Sequence, residues 1–192
     1  MLVEIREFIL TLGPALSKEE FTHPSETVWI AKDAKVSPTA SILGPCIIDH
    51  GAEIRHCAFL RENVIIGRNA VVGNSVEVKN SILFDEVETP HFNYVGDSIL
   101  GYRAHMGAGS ILSNVKANRN PIAVRDAENS PETNLLKFGA ILGDHAEIGC
   151  NAVLNPGCIV GRNANVYPLS SVRGVVPANS IYKNKSEIIG KK

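Results

Sequence analysis

The sequence predicts an all-β solenoid, a parallel β-helix whose coils are built from hexapeptide repeats. From Ile30 the chain divides into eight complete hexads, each with an aliphatic residue first and a small or β-branched residue fifth: IAKDAK, VSPTAS, ILGPCI, IDHGAE, IRHCAF, LRENVI, IGRNAV and VGNSVE. The pattern returns from Leu100 as LGYRAH and MGAGSI, and from Leu142 as six further hexads. A sustained hexapeptide period is typical of a β-helix, in which each coil buries its apolar positions against the neighbouring coils.

The order of residues within a hexad explains the coil. Because strand side chains alternate, the fifth residue of one hexad and the first residue of the next point inward, with one outward residue between them. Three hexads therefore close a triangular coil of about eighteen residues, stacked on its neighbours at the ordinary strand spacing of about 4.8 Å. Cys46 and Cys158 occupy the fifth position, which predicts small core residues rather than reactive thiols.

The domain boundaries follow from where the repeats begin and end. Residues 1–29 precede the repeats and are predicted to form a helical cap, with short helices over 2–12, which is amphipathic, and over 17–22, where a capping box occurs. The β-helix is predicted over 30–183. The last residues, 184–192, are predicted to form a tail.

Two segments depart from the repeat. The stretch TPHFNY, after Lys79, places Thr89 and Asn93 at positions that the hexad reserves for inward aliphatic and small residues. A departure from an otherwise consistent pattern is expected at a functional site. The polar insertion over 115–137 is too long for a coil turn and is predicted to project as a loop, from which it could reach a neighbouring subunit.

Charge and hydropathy argue against several classes of function. The 192 residues include 19 basic and 20 acidic ones without a basic stripe, so neither nucleic acid nor a membrane is an expected partner. The amphipathic start lacks the features of a signal peptide, and no later segment is long and apolar enough to cross a bilayer, so a cytoplasmic protein is expected. The four cysteines show no zinc-binding spacing.

Two cations are predicted to stack on the outside of successive coils. Arg61 and Lys79 are three hexads apart, and each directly follows the aliphatic residue of its hexad. Two like charges about 5 Å apart repel by about 1 kcal/mol even in water, so an anion between them would be stabilised. The pair therefore predicts a phosphate site, and the alternative is that both side chains extend into solvent.

Several motifs together indicate a family. Hexads such as IGRNAV and VGRNAN resemble those of the left-handed β-helix hexapeptide-repeat acyltransferases, which are typically trimers with active sites between subunits. The stretches LRENVIIGRNAVVGNSVEVKNS, PHFNYVGDSILG and HMGAGSILSN are similar to the acetyltransferase domain of the bifunctional enzymes that make UDP-N-acetylglucosamine, and to archaeal-type sugar-1-phosphate nucleotidyltransferases. The resemblance covers residues 58–183. It implies a homotrimer that transfers an acetyl group from acetyl-CoA to an amino-sugar 1-phosphate, such as glucosamine-1-phosphate, without a metal.

The same resemblance implies roles for individual residues. His91 would be the general base, and Glu77 would orient its imidazole. The implied substrate-binding residues are Arg61, Lys79, Tyr94, Asn114 and His105, of which the first two would hold the phosphate. The implied coenzyme-binding residues are Gly107, Ala108, Gly109, Cys150, Pro168, Lys183 and Lys185.

The sequence departs from the bacterial pattern at three positions. His105 and Val115 stand where those enzymes have an asparagine and a tyrosine, and Asn120 stands where they have a lysine. Lys116 and Lys137 resemble positions of the archaeal-type proteins and could serve instead. These departures leave the identity of the acceptor open.

Other functions remain open on sequence grounds. The residues before the repeats are too few for the relatives' nucleotidyltransferase domain, so pyrophosphorylase activity is expected to be absent. A γ-class carbonic anhydrase needs three histidine ligands, two of them close together in the chain, and the six histidines here contain no such pair. Acyl transfer to another acceptor, such as an amino-sugar nucleotide or serine, is a second alternative. A non-catalytic trimeric module that regulates a sugar-nucleotide enzyme is the third, and coenzyme A binding would discriminate it.

Overall fold

The computed structural model describes residues 2–125, 130–184 and 186–191 of the chain. Over these residues the chain winds through about 8 turns of a parallel β-helix with three sheets. The predicted fold, a left-handed β-helix of hexapeptide repeats, is confirmed. No helix in the described part of the chain is long and apolar enough to cross a bilayer.

The strands are numbered along the chain, and from β2 to β24 successive strands enter sheets A, B and C in turn, while β1 joins sheet A and β25 joins sheet B. Sheet A contains β1 Phe21–Ser25, β2 Val28–Ala31, β5 Cys46–Ile48, β8 Val64–Ile66, β11 Ser81–Leu83, β14 Ile99–Leu100, β17 Ala140–Leu142, β20 Cys158–Val160 and β23 Val175–Val176. Sheet B contains β3 Lys35–Val36, β6 Glu53–Ile54, β9 Val71–Asn74, β12 Glu88–His91, β15 His105–Met106, β18 Glu147–Ile148, β21 Asn165–Val166, β24 Ser180–Asn184 and β25 Glu187–Gly190. Sheet C contains β4 Ser41–Ile42, β7 Phe59–Leu60, β10 Glu77–Lys79, β13 Tyr94–Gly96, β16 Ile111–Leu112, β19 Val153–Leu154 and β22 Ser171–Val172.

The interior contains the inward positions of the hexads. Ala70 and Val72, the fifth and first residues of consecutive hexads, are both fully buried, and the same alternation continues along the core. Cys46 and Cys158 lie in this core, where burial raises the pKa of their thiols to about 12 and about 11. The prediction that they are small core residues is confirmed.

The corners between sheets turn through residues in the left-handed region of backbone space. Asn69, Asn151 and Asn163 have φ of 54°, 55° and 55°. Asparagine adopts this conformation at lower cost than most residues with a Cβ, because its short side chain can hydrogen-bond locally. The recurring asparagine before the fifth residue of a hexad is therefore explained by the turn.

The N-terminal cap differs in part from the prediction. Helix α1 spans Ile5–Leu12, and its Ile5 and Ile9 pack in one apolar cluster with Trp29. The predicted helix over 17–22 is wrong, because β1 begins at Phe21 and runs antiparallel to β2. Phe21 and Thr22 instead pair with Ala31 and Ile30 of β2, and Thr22 Oγ1 donates to the carbonyl of Ile30 at 3.0 Å. The β-helix therefore begins at β2, slightly before the first predicted hexad.

The insertion folds back onto its own chain. Ile122 is fully buried and donates its backbone N–H to Leu135 O at 2.9 Å, and Ala123 forms an antiparallel bridge with Glu132. Ile122 shares an apolar cluster with outward-facing isoleucines of sheet A, such as Ile99. Around Ile122 the insertion therefore packs on sheet A instead of projecting, because covering these isoleucines removes apolar surface from water.

Candidate functional site

The coil that breaks the hexad pattern buries polar side chains and satisfies them. Thr89 and Asn93 point into the core, as predicted. Thr89 Oγ1 donates to a backbone carbonyl of the preceding coil at 3.1 Å, and Asn93 Nδ2 donates to Gly107 O of the next coil at 2.9 Å. Asn93 Oδ1 also accepts the backbone N–H of His91 at 3.2 Å. Buried polar groups need such partners, and here they fix the strand that carries His91.

Two turns between sheets C and A are shortened and held by serines. Glu77 pairs with Phe59 on one side and Tyr94 on the other, so the coil that begins at β10 is one residue shorter than the coil before it. Ser81 Oγ donates to Lys79 O at 2.8 Å and accepts the N–H of Ser98 at 3.0 Å. These two hydrogen bonds hold the shortened turn together and fix the end of β10.

Five of the predicted site residues lie together at sheet C. They are Arg61, Glu77, Lys79, Tyr94 and Asn114. Leu60 and Val78 are aligned in sheet C. Arg61 and Lys79, which directly follow them, therefore lie in register on successive coils, as predicted. Arg61 Nη1 donates to Glu77 Oε1 at 3.1 Å, and Asn114 Nδ2 donates to the Tyr94 hydroxyl at 3.2 Å.

Carboxylates accompany both cations. Glu62 lies between them, with its oxygens 3.6 Å from Arg61 Nε and 3.7 Å from Lys79 Nζ. Asp97 Oδ2 lies 4.0 Å from Lys79 Nζ, and these two side chains are only 6% and 13% exposed. The hydrogen bond to Glu77 raises the pKa of the Arg61 guanidinium. The gap between the cations, which the sequence predicted to attract an anion, is thus occupied by the chain's own Glu62.

Tyr94 and Asn114 are packed where a glycine leaves room for them. A Cβ on Gly96 would lie 2.6 Å from the Tyr94 hydroxyl and 2.8 Å from Asn114 Nδ2, so no larger residue fits without moving both. Burial raises the pKa of the Tyr94 phenol, and the charge on Glu77 raises it further, so the hydroxyl keeps its proton.

Three residues of this site were missed by sequence reasoning. They are Glu62, Gly96 and Asp97. The available signals were the charged residue directly after Arg61 and the Gly-Asp pair at the boundary of β13, but their contacts depend on how the coils align.

A second group of predicted residues forms a column at the corner between sheets B and C. The group occupies the same position in successive coils and consists of His91, Ala108, Cys150 and Pro168. The backbone carbonyls of the first three accept the N–H groups of Gly109, Asn151 and Leu169, and each of these donors directly follows the next residue of the group. Neighbouring coils are about 4.8 Å apart, so the column is a continuous edge. The predicted base and three predicted coenzyme contacts therefore share one corner.

The glycines predicted to approach the coenzyme also have a structural role. A Cβ on Gly107 would lie 2.7 Å from the backbone nitrogen of Cys150 in the next coil. Gly109 has φ of 72°, and a Cβ there would lie 2.2 Å from Asn151 Oδ1. Coil stacking thus leaves no room for a side chain at position 107, whereas a residue larger than glycine at position 109 would displace the side chain of Asn151.

The predicted phosphate contacts of coenzyme A lie at the C-terminal end. The carbonyl of Tyr182 accepts the backbone N–H of Tyr167, which directly precedes Pro168. Lys183, the residue after Tyr182, therefore lies one coil beyond Tyr167. Its ammonium group pairs with Glu187 Oε1 at 2.5 Å, which raises the pKa of the lysine. Lys185 lies outside the described residues.

Two predicted associations are not formed within the chain. Glu77 contacts Arg61, and among the described residues no side chain hydrogen-bonds the exposed imidazole of His91, whose ring centre lies 6.4 Å from that of Phe92. His105 lies on sheet B, where its Nδ1 is 2.9 Å from Glu147 Oε2. It borders a polar cavity of about 890 Å³, away from the network on sheet C.

Comparisons with known proteins agree with the predicted resemblance. A family model described as the GMPPB C-terminal domain matches residues 42–135, a segment that contains the whole sheet C network. The bifunctional protein GlmU of Methanococcus maripaludis is 33% identical over 109 residues, which cover 57% of this chain and 26% of that protein. The bifunctional sugar-1-phosphate nucleotidylyltransferase/acetyltransferase of Sulfurisphaera tokodaii is 31% identical over 103 residues, which cover 54% of this chain and 26% of that protein. The chain therefore spans about a quarter of the length of these relatives.

The fold has a counterpart among solved structures. The hexapeptide transferase family protein from Anaplasma phagocytophilum aligns with a TM-score of 0.53 at 16% identity, covering 86% of this chain and 79% of that one. The coil geometry and this likeness define the chain as a left-handed β-helix of the hexapeptide type. Within that class, its resemblance to the GlmU and sugar-1-phosphate nucleotidylyltransferase/acetyltransferase proteins is confirmed.

Proposed function

We propose that the chain is an acetyl-CoA-dependent N-acetyltransferase acting on an amino-sugar 1-phosphate, such as glucosamine-1-phosphate, in nucleotide-sugar biosynthesis. The observation that carries this proposal is the network on sheet C, where two cations, a tyrosine and an asparagine lie on the sheet that follows the corner with His91. The similarity to the bifunctional sugar-1-phosphate nucleotidylyltransferase/acetyltransferase of Sulfurisphaera tokodaii supports the same reaction class.

The acceptor would bind on sheet C. Its phosphate would displace the Glu62 carboxylate and bind Arg61 and Lys79, because charge-assisted hydrogen bonds to a dianion are stronger than those to a single carboxylate. The sugar hydroxyls would then contact Tyr94 and Asn114. Phosphate binding at Arg61 would also compete with Glu77, which would free that carboxylate to turn towards His91.

The reaction would use His91 as a general base. The imidazole takes a proton from the amine of the sugar as the nitrogen attacks the carbonyl carbon of the thioester. The carbon–sulfur bond then breaks, and coenzyme A leaves as a thiolate that takes up a proton. No covalent acyl-enzyme intermediate is required.

Acetyl-CoA would lie along the corner column. Beyond His91, the column offers the backbone of Ala108 and the edges formed by Cys150 and Pro168, and it leads towards Lys183. Phe92 and Leu169, which are 59% and 80% exposed, flank this corner and offer apolar surface to the pantetheine arm. A single coil edge is open to solvent on one side, so in this proposal a neighbouring subunit of a homotrimer supplies the second wall.

Another amino acceptor is the second candidate. Glu62, Glu77 and Asp97 give the network three carboxylates against two cations, and this excess of negative charge favours an acceptor without a phosphate. The choice between the two acceptors therefore depends on whether the phosphate outcompetes Glu62.

The experiment is thiol release from acetyl-CoA, measured against amino sugars with and without a 1-phosphate. The proposal expects turnover that is strongest with an amino-sugar 1-phosphate. Turnover confined to unphosphorylated amines would favour the second candidate. Failure to bind coenzyme A at all would favour a non-catalytic trimeric module.

A further inference from the structure

Asp97 is a buried carboxylate at the centre of the acceptor site. It accepts a hydrogen bond from Asn80 Nδ2 at 2.8 Å on one oxygen and from Asn114 Nδ2 at 2.5 Å on the other. Its backbone has φ of 48°, in the shortened turn that leads from β13 in sheet C to β14 in sheet A. A buried charge persists only where it is well satisfied, so these bonds are strong constraints on their partners.

The carboxylate determines which end of the Asn114 amide faces the ligand. An ionised carboxylate can only accept hydrogen bonds, so the group of Asn114 that faces it must be the NH₂. The same nitrogen lies 3.2 Å from the Tyr94 hydroxyl. Both N–H groups of Asn114 are therefore used inside the protein, and its Oδ1 is left for the ligand.

The Tyr94 hydroxyl is oriented by the same chain of bonds. Because its oxygen accepts from Asn114, its own hydrogen is free to be donated. Burial keeps this phenol protonated. The site thus presents one acceptor, Asn114 Oδ1, beside one donor, the Tyr94 O–H.

We propose that Asp97 is a positioning residue that imposes this donor and acceptor order, and that the order selects a sugar with two neighbouring hydroxyls. One hydroxyl donates to Asn114 Oδ1, and the other accepts from Tyr94. The inference rests on the proposed acceptor site, and it adds a residue and a recognition rule to it.

The test uses Asp97→Asn, which preserves shape but replaces one acceptor oxygen with a donor. The amide of the new asparagine can turn the Asn114 amide around, so that an N–H group faces the ligand. The KM for the amino-sugar phosphate should rise about tenfold or more, in line with a hydrogen bond to a charged group. The KM for acetyl-CoA should not change. Asp144→Asn is the matched control, because Asp144 accepts the backbone N–H of Tyr102 at another corner, away from the sheet C network.

Deoxyfluoro sugars test the order of donor and acceptor directly, because a fluorine atom can accept a hydrogen bond but cannot donate one. In the wild-type protein, fluorine should weaken binding at the hydroxyl that faces Asn114 and be tolerated at its neighbour. Asp97→Asn should abolish this difference, as a double-mutant cycle would reveal. If the variant does not fold, the binding of the fluoro sugars to the wild-type protein still decides. Fluorine tolerated in place of both hydroxyls would overturn the proposal.

The outcomes separate this inference from the proposed function. If the wild type binds the sugar phosphate in calorimetry but does not release thiol, the acetyltransferase proposal fails while the fluorine pattern still tests Asp97. If the wild type is active and Asp97→Asn keeps the wild-type KM, the role of Asp97 is overturned. If Asp97→Asn has a lower melting temperature and raises the KM for the amino-sugar phosphate and for acetyl-CoA equally, the carboxylate is merely structural. If the wild type binds no amino-sugar phosphate at all, both proposals are overturned.

Discussion

Glu62 and Asp97 determine how strongly Arg61 and Lys79 can attract an anion. Arg61 and Glu62 are each about one third exposed, so their contact is screened by solvent. Lys79 is largely buried and faces Asp97 as well, so its charge is less screened. The sequence predicted the two cations from their spacing, but it could not predict the carboxylates, because the contacts of Glu62 and Asp97 with Lys79 form between coils.

Arg61→Ala and Lys79→Ala should each raise the KM for a phosphorylated acceptor and leave the KM for acetyl-CoA nearly unchanged. Removing a hydrogen bond to a charged group costs about 1.5 to 3 kcal/mol. Steady-state kinetics with both acceptor types measures the effect. Arg55→Ala is the matched control, because Arg55 pairs with Glu53 on sheet B. An equal loss towards an unphosphorylated acceptor would show that the cations do not bind phosphate.

Glu62→Gln should have the opposite effect. It removes the charge that competes with phosphate, and an exposed ion pair is worth up to about 1 kcal/mol, so the KM for the phosphorylated acceptor should fall severalfold. Glu53→Gln should leave it unchanged. A rise in KM would mean that Glu62 assists the acceptor instead of competing with it.

His91→Ala should lower kcat by about 10² to 10⁴, the usual contribution of a positioned general base. Because a general base must be unprotonated to accept a proton, acidification should lower wild-type activity, and this dependence on pH should vanish in the variant. Coenzyme A binding should remain. His56→Ala, also exposed and two coils away at the same corner, is the control. A variant that melts early but is fully active when folded would make His91 a structural residue.

At the scale of elements, the β12 coil is held by side chains that the repeat does not provide. Asn93→Ala should lower the free energy of unfolding by about 1 to 3 kcal/mol, because it removes bonds to Gly107 and Ser110 in the core. Thr89→Val, which loses one such bond but keeps its shape, should cost less. Urea denaturation measures both. If Asn93→Ala were neutral, the coil would be held by its backbone alone.

The sequence predicted the strands of the β-helix well and the segments around it poorly. Each hexad is a local pattern that fixes which residues face inward, so Ala70 and Val72 could be assigned without knowing the rest of the fold. The segment from Phe21 and the insertion around Ile122 are set by surfaces that exist only after folding. The corner column of His91 became visible only with the observed register, since the shortened coils and the insertion shift its spacing along the chain.

At the scale of the whole molecule, the proposed cleft needs more than one copy of the chain. The corner column presents Phe92 and Leu169 to solvent, and the two would be covered in part by a second subunit and in part by the coenzyme. Sedimentation equilibrium at micromolar concentration should give the mass of a trimer. A monomer under these conditions would remove the cleft on which the mechanism depends.

The two antiparallel strands at the ends of the chain bear on solubility. A parallel β-helix ends in strands whose unpaired N–H and C=O groups can capture another strand, and β1 and β25 cover such an edge on β2 and on β24. β1 contains Pro24, which has no N–H group to hydrogen-bond with a strand of another chain. The two hairpins therefore protect one of the three sheet edges at each end of the β-helix, and chains that lost them would be expected to associate more readily through the strands so exposed.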